Sequence, residues 1–275
     1  MTLEPFALEV PDDIGAALRL LERHGADAAF YMGGTELLLI LKLGLSSTEM
    51  LVDGKRLADL RGIVTTADAL DIGAGCTHRE IESSPDVRRA LPALARLEAR
   101  VGNPRVRNVG TLGGNLCFAE PHSDPATLLV ALDASVQLVS TAGVRTLPVA
   151  ALLEGPLQTA IAEAEILTRV HIPVPEGAAT RVAFERIAFH ERPLANAAVY
   201  RDGARSRVAV GAVCGRAVRV PAAEVLLAEE ADPAAVAEAV MDAVEPLDDG
   251  QSSADYKRHL AGVAVTRCLA RLDAA

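Results

Sequence analysis

The residues best placed to do chemistry lie in one stretch, Arg105-Val-Arg-Asn-Val-Gly-Thr-Leu-Gly-Gly-Asn115, continued by Leu-Cys-Phe-Ala-Glu-Pro-His-Ser-Asp124. Gly110, Gly113 and Gly114 have no Cβ, so the main chain there can come within hydrogen-bonding distance of a ligand. The N–H groups of Thr111, Gly113, Gly114 and Asn115 can then converge on an anion, as successive amides do in a nest, and a diphosphate suits such a cradle. Further on, Asp124 offers a carboxylate able to accept two strong hydrogen bonds from the vicinal hydroxyls of a ribose. The competing reading is a tight turn followed by a helix that Asp124 caps. A second stretch, Met32-Gly-Gly-Thr-Glu36, follows strand-like residues 28–32 and runs into the apolar Leu37-Leu-Leu-Ile-Leu41. Strand, glycine turn and helix together suit a phosphate site, although Gly33-Gly34-Thr35 alone is a weak signal that reads first as a plain turn. Two glycine turns, at 33–34 and 113–114, would clasp one diphosphate from both sides.

Other reactive residue types are scattered. The histidines, at 24, 78, 122, 171, 190 and 259, stand apart, and Thr77-His-Arg-Glu80 matches a capping box that would leave His78 solvated in a first helical turn. The four cysteines, at 76, 117, 214 and 268, show no close pair of the kind that binds zinc or an iron–sulfur cluster. They read as reduced cytosolic thiols, with Cys117 a small buried filler. No nucleophile–base pair and no metal constellation is visible, so neither a catalytic side chain nor a metal ligand is expected. A net charge of −10 argues against nucleic acid as a partner. Arg100, Arg105 and Arg107 flank the glycine stretch, which fits a small anion better than a polymer. The acidic start, MTLEPFALEVPDD, lacks the pattern of an export signal, and the apolar run at 37–45, interrupted by Lys42, is too short to span a bilayer. A cytoplasmic protein is expected.

These groups need a scaffold, and 275 residues suffice for two moderate domains. Asp12 and Asp13 precede a helix carrying Ile14, Leu18 and Leu21 at helical spacing, with Gly25 to end it. Strands are predicted at 6–10, 28–32, 50–52 and 69–72. Ser84-Pro85 opens a helical region with Val87, Leu91, Leu94 and Leu97 on one face, and another helix is predicted from Pro125 to Leu132. Residues 135–139 and 144–147 form a hairpin around Gly143, and Glu165-Ile-Leu-Thr-Arg-Val-His-Ile172 alternates as a half-buried strand. The Pro173-Val-Pro175-Glu-Gly177 cluster marks a domain boundary. Beyond it, strands near 182–187, 197–200 and 208–213 read as an antiparallel sheet, followed by helices at about 221–229, 233–244 and 254–273. The acidic run at 242–249 reads as a solvated loop.

The chain resembles the FAD-binding, or medium, subunits of molybdenum hydroxylases, the group containing carbon monoxide dehydrogenase and xanthine dehydrogenase. The resemblance rests on Gly33-Gly-Thr-Glu-Leu37, Ile72-Gly-Ala-Gly-Cys-Thr-His78, Val101-Gly102, Arg107-Asn-Val-Gly-Thr-Leu-Gly-Gly-Asn115, Ala119-Glu-Pro-His-Ser-Asp124, Glu165-Ile-Leu-Thr168 and Tyr256-Lys-Arg-His-Leu260. It implies an α+β fold: an FAD-binding module of two α+β subdomains, of the vanillyl-alcohol-oxidase-like type, over 1–175. A domain of a three-stranded antiparallel sheet and a helical bundle follows over 176–275. It implies that Met32, Gly33, Gly34, Thr35 and Glu36, with Thr111, Leu112, Gly113, Gly114 and Asn115, hold the FAD diphosphate. It implies too that Asp124 binds the adenosine ribose and that Leu167 lies near the flavin or adenine, while Val101 stands where some relatives carry a flavin-facing aromatic. The implied role is electron transfer from iron–sulfur clusters through FAD to an external acceptor. The implied partners are an iron–sulfur small subunit and a molybdenum-cofactor large subunit, in a dimer of heterotrimers. Glu185 falls at or near a position where the family often has lysine. An acid there would repel electron density on a reduced flavin unless Arg186, His190 or Arg192 compensates. Glu185 and Val101 motivate an alternative, a flavin-poor structural or assembly subunit, and a stand-alone flavin oxidoreductase is a third reading.

Overall fold

The computed structural model describes residues 3–174, 181–246, 248 and 250–274. The chain opens with β1 (Ala7–Glu9), α1 (Ile14–His24), β2 (Ala28–Tyr31), α2 (Leu37–Lys42) and β3 (Met50–Asp53). β3 lies between β1 and β2 and is parallel to both. Parallel neighbours require crossovers, which the helices supply. Helix α1 starts where Asp13 Oδ1 accepts the Ala16 N–H at 2.6 Å, buries Ala17, Leu18 and Leu21 on one face, and ends at Gly25, φ 51°.

A second sheet takes β4 (Ile63–Thr65), β5 (Ala69–Gly73), β6 (Ser135–Ser140), β7 (Gly143–Pro148) and β10 (Ile166–Pro173) in the order β4-β5-β10-β6-β7, antiparallel throughout. Between β5 and β6 run α3 (His78–Ser83), α4 (Pro85–Ala90), α5 (Pro92–Glu98), α6 (Pro104–Val109), α7 (Leu112–Phe118) and α8 (Asp124–Ala131). The helical region expected from Ser84 is two helices, because Pro92 supplies no N–H and forces Leu91 to ψ 70°. Helix α9 (Val149–Leu152) and the hairpin β8 (Leu153–Gly155) and β9 (Gln158–Thr159) are too short to leave a periodic signal. Leu70, Ile72, Leu94, Leu112, Leu128, Val136 and Val170 form the buried centre of this half.

The C-terminal sheet is β11 (Val182–Ile187), β12 (Ala195–Tyr200), β13 (Arg207–Gly211) and β14 (Val218–Arg219), antiparallel in that order. It has four strands where three were expected, since the two-residue β14 adds an edge. Helices α10 (Pro221–Ala228), α11 (Pro233–Ala243) and α12 (Ala254–Asp273) lie where the sequence places them. β12 is buried along its whole length because α8 packs on one face of the sheet and α12 on the other. β11 divides its side chains accordingly: Val182 and Phe184 join the N-terminal core, and Ala183 joins the core beneath α12. The expected boundary reaches into residues 175–180, outside the described residues.

Candidate functional site

Both glycine stretches border one cleft of about 560 Å³. Met32, Gly33, Gly34, Thr35 and Glu36 form one lip, and Thr111, Gly113, Gly114, Asn115 and Asp124 line the other side, with Val101 and Leu167 also on its wall. Leu112 alone of the expected residues is off the surface, fully buried beneath it. Phe30, Tyr31 and Phe118 also line the cleft, so aromatic side chains are present although position 101 is valine.

The two lips differ in their amides. Among the described residues, the N–H groups of Gly33, Gly34, Thr35, Glu36 and Leu37 have no hydrogen-bond partner, while Gly34 takes φ 70°. In the second stretch the amides are already used. Leu112 donates to the Cys76 carbonyl at 3.0 Å, Gly113 to the Ala74 carbonyl at 2.9 Å and Asn115 to the Thr111 carbonyl at 2.9 Å. Gly114 donates to Thr111 Oγ1 at 3.1 Å, so Thr111 is the N-cap of α7 and the expected nest and turn at 113–114 are replaced by helix. Only the Thr111 N–H of that set has no partner among the described residues. The glycines serve packing instead: a Cβ on Gly113 would lie 2.6 Å from Ala74 Cβ, and one on Gly33 would lie 2.2 Å from the Val109 carbonyl oxygen. Amides without a partner among the described residues therefore cluster on the first lip, and the second brings a wall against it.

Asp124 is the first residue of α8, not its cap. The cap is Ser123, whose Oγ accepts the Ala126 N–H at 3.2 Å. The Asp124 side chain is nearly buried: Oδ1 accepts a hydrogen bond from Asn196 Nδ2 at 2.8 Å, and Oδ2 forms an ion pair with Arg186 Nε at 3.1 Å, off the hydrogen-bonding line. Burial raises its pKa, with Arg186 and then Asn196 pulling in the opposite direction. Asn196 Oδ1 in turn accepts from Thr127 Oγ1 at 2.8 Å. An acid expected to stand open for a ribose is thus already bound to the C-terminal sheet at the edge of the cleft.

A charged string crosses the rim. Arg192 Nη2 lies 3.7 Å from Glu36 Oε1, and its Nη1 donates to Glu120 Oε1 at 3.4 Å. The same Glu120 oxygen lies 2.7 Å from His122 Nδ1. Burial raises the Glu36 pKa, Arg192 opposing and Glu120 reinforcing it. His122 Nε2 is buried in the cleft wall with no partner among the described residues. No local pattern announces this string, because Arg192 arrives from the other half of the chain.

Four further expectations are corrected. Thr77 and Glu80 do make the capping box, Thr77 N–H donating to Glu80 Oε2 at 2.7 Å, but His78 is buried on the cleft wall with Nδ1 2.6 Å from Glu98 Oε2. The rest of α3 is amphipathic, and His78 falls on its inner side facing α5. Cys117 is not a buried filler: it is exposed and lines the cleft. Glu185 does not face the cleft. It pairs with Arg271 of α12, because alternation along β11 sends it to the opposite side from Arg186. Arg107 is likewise turned inward, donating to the Val101 and Gly102 carbonyls at 3.1 and 3.4 Å.

Amides and a His122 nitrogen that lack partners among the described residues suit a polyanionic, hydrogen-bonding ligand, and the aromatic side chains in the lining suit a flat ring. FAD has both, so the residues present fit it. Among the described residues, no group of three or more His, Cys, Asp or Glu is placed to hold a metal, and no helix is long and apolar enough to cross a membrane.

The comparisons with known proteins agree with that fit. Residues 4–175 match the family described as the FAD binding domain in molybdopterin dehydrogenase, and residues 193–272 match the CO dehydrogenase flavoprotein C-terminal domain. The chain is 31% identical to the carbon monoxide dehydrogenase medium chain of Hydrogenophaga pseudoflava, over 96% of each chain. It is also 31% identical to the nicotine 6-hydroxylase medium subunit of Paenarthrobacter nicotinovorans, over 100% of this chain and 99% of that one. Among solved structures it superposes on the carbon monoxide dehydrogenase of Hydrogenophaga pseudoflava that lacks the Mo-pyranopterin moiety, with TM-score 0.94, 31% identity and coverage of 100% and 99%. It superposes equally fully on quinoline 2-oxidoreductase from Pseudomonas putida 86, with TM-score 0.92 and 30% identity. A cleft that fits FAD, two family matches covering most of the chain and relatives matched from end to end place this chain in the family of FAD-binding medium subunits of molybdenum hydroxylases, oxidoreductases whose cofactor is FAD.

Proposed function

We propose that the chain is the electron-transfer flavoprotein of a molybdenum hydroxylase, receiving electrons from iron–sulfur clusters on a small subunit and delivering them to an external acceptor. The observation that carries this reading is the cleft itself: five consecutive amides, at 33–37, without a partner among the described residues, in a cleft also lined by Phe30, Tyr31 and Phe118, on a chain that matches medium subunits over its whole length. FAD supplies the redox chemistry when bound, and the chain binds, orients and shields it. The amides of Gly33, Gly34, Thr35 and Glu36 would hold the diphosphate, with Met32, Thr111, Gly113, Gly114 and Asn115 shaping the walls over buried Leu112. Val101 and Leu167 would border the ring systems, and Asp124 the ribose. We further propose a vanillyl-alcohol-oxidase-like module over 1–175, a flavoprotein domain over 176–275, a molybdenum-cofactor large subunit as second partner, a dimer of heterotrimers and a cytoplasmic location. With Glu185 paired to Arg271 on the far side of the sheet, the repulsion that motivated a flavin-poor scaffold has no geometric basis.

The test is removal of FAD from the native assembly. A deflavo complex given its reducing substrate should still bleach the iron–sulfur absorption while acceptor reduction stops, and FAD should restore it. Full acceptor turnover without flavin would overturn the reading.

A further inference from the structure

Arg186 is nearly buried and reaches three segments that border the cleft. Its Nε pairs with Asp124 Oδ2 at 3.1 Å, its Nη1 donates to the Arg100 carbonyl at 2.9 Å, and its Nη2 donates to the Glu191 carbonyl at 2.6 Å. The Arg100 carbonyl immediately precedes Val101 and Gly102, which line the cleft, and Glu191 itself lines it with Arg192 and Pro193. Arg107 grips the same 101–102 turn from the N-terminal side. Beside Arg186 in the sheet, Asn196 bridges Asp124 to Thr127. One guanidinium thus ties a wall of the N-terminal half, a wall of the C-terminal half and a buried carboxylate together. Its planar fork allows this, whereas a lysine ammonium is a point charge on a flexible stem.

We propose that Arg186 is a positioning residue for FAD binding: it sets the spacing of the cleft walls at 100–102, 124 and 191–193, which makes the C-terminal sheet a working part of the FAD site. This rests on the reading of the cleft as that site. The contrasting role is mere adhesion between the two halves of the chain. The two differ in what they do to ligand affinity. Adhesion lost lowers the melting temperature and leaves the FAD dissociation constant unchanged, whereas walls set wrongly weaken FAD in a protein that is still folded.

The experiment uses the full chain in the assembly in which it purifies, stripped of FAD, with FAD itself as the probe. Dissociation constants from quenching of flavin fluorescence, melting temperatures without ligand, and the absorption maxima and midpoint potential of rebound flavin are compared for wild type, Arg186→Lys and Arg186→Gln. Losing charge-assisted hydrogen bonds corresponds to roughly ten- to a hundredfold in affinity. Arg186→Lys, which keeps the charge opposite Asp124, should fold and bind FAD about tenfold more weakly, with shifted flavin maxima. Arg186→Gln should lose more. Wild-type FAD affinity and spectrum in Arg186→Lys overturn the positioning role, whatever its melting temperature. Should Arg186→Gln fail to fold, Arg186→Lys still decides. Failure of the wild-type assembly to rebind FAD would instead overturn the reading of the cleft.

Discussion

Replacing Gly33 by alanine puts a methyl carbon 2.2 Å from the Val109 carbonyl oxygen, 2.8 Å from Gly110 Cα and 2.9 Å from the Val109 carbonyl carbon. All three neighbours are main chain, so no rotamer change relieves the clash. The loops must part by about 1.2 Å, the difference between 2.2 Å and the 3.4 Å at which ordinary contact begins. Overpacking of this kind costs roughly 1–3 kcal/mol. In the FAD-free protein the first loop can swing outward, since its amides have no partner among the described residues to hold it. With ligand bound the lips must close again, so the cost falls mainly on affinity, which is about ten- to a hundredfold at 1.4 kcal/mol per decade. Fluorescence titration of the stripped protein with FAD measures this, and a melting curve without ligand should move little. Gly44→Ala is the control: φ is 69° and nothing lies within 4 Å of its added Cβ, so it should lose about 1 kcal/mol of stability and no FAD affinity. Wild-type FAD binding by Gly33→Ala would refute the idea that contact between the lips shapes the site.

Asp124→Ala leaves Arg186 buried without its carboxylate, so it should cost about 3 kcal/mol of stability as well as FAD affinity, and an unchanged melting temperature would contradict the buried pairing. Cys117 is exposed in the cleft, so FAD should protect it from maleimide. Equal labelling with and without FAD, read by peptide mass spectrometry, would place α7 away from the ligand. Glu36 already has a raised pKa, and a diphosphate beside it would raise it further. FAD binding should then take up a proton and be tighter at low pH. It should weaken as pH rises through the Glu36 titration, and Glu36→Gln should flatten the profile of dissociation constant against pH.

Features set by neighbours in the chain were legible in the sequence. Asp13 caps α1, Thr77 and Glu80 form their reciprocal box, and the alternating 165–172 segment is β10, because each depends on residues within a turn or on a two-residue period. The family motif likewise located both lips. What could not be read was the use to which a residue is put by a distant partner. Gly113 reads as backbone freedom until Ala74 is seen against it, and His78 reads as solvated until Glu98 arrives from α5. Arg186, Arg192 and Asn196 reach the site only through the docking of the C-terminal sheet on α8, which no local pattern encodes. β14 was missed because two residues carry no period.

The opposed charges on β11 also guard the strand against misalignment. β12 is buried on both faces and built largely of alanine, at 195, 197 and 198, so an inside–outside pattern of polarity cannot choose its pairing. Sliding β11 by one residue would exchange its faces, turning Glu185 toward Asp124 and Arg186 toward Arg271. Two attractions would become two repulsions, the one at Asp124 in poorly solvated surroundings. The adjacent Glu185 and Arg186 therefore act as an alignment key: the hairpin is electrostatically comfortable in one frame, and a single inserted or deleted residue within 182–187 would derail assembly of the sheet before any cofactor could be met.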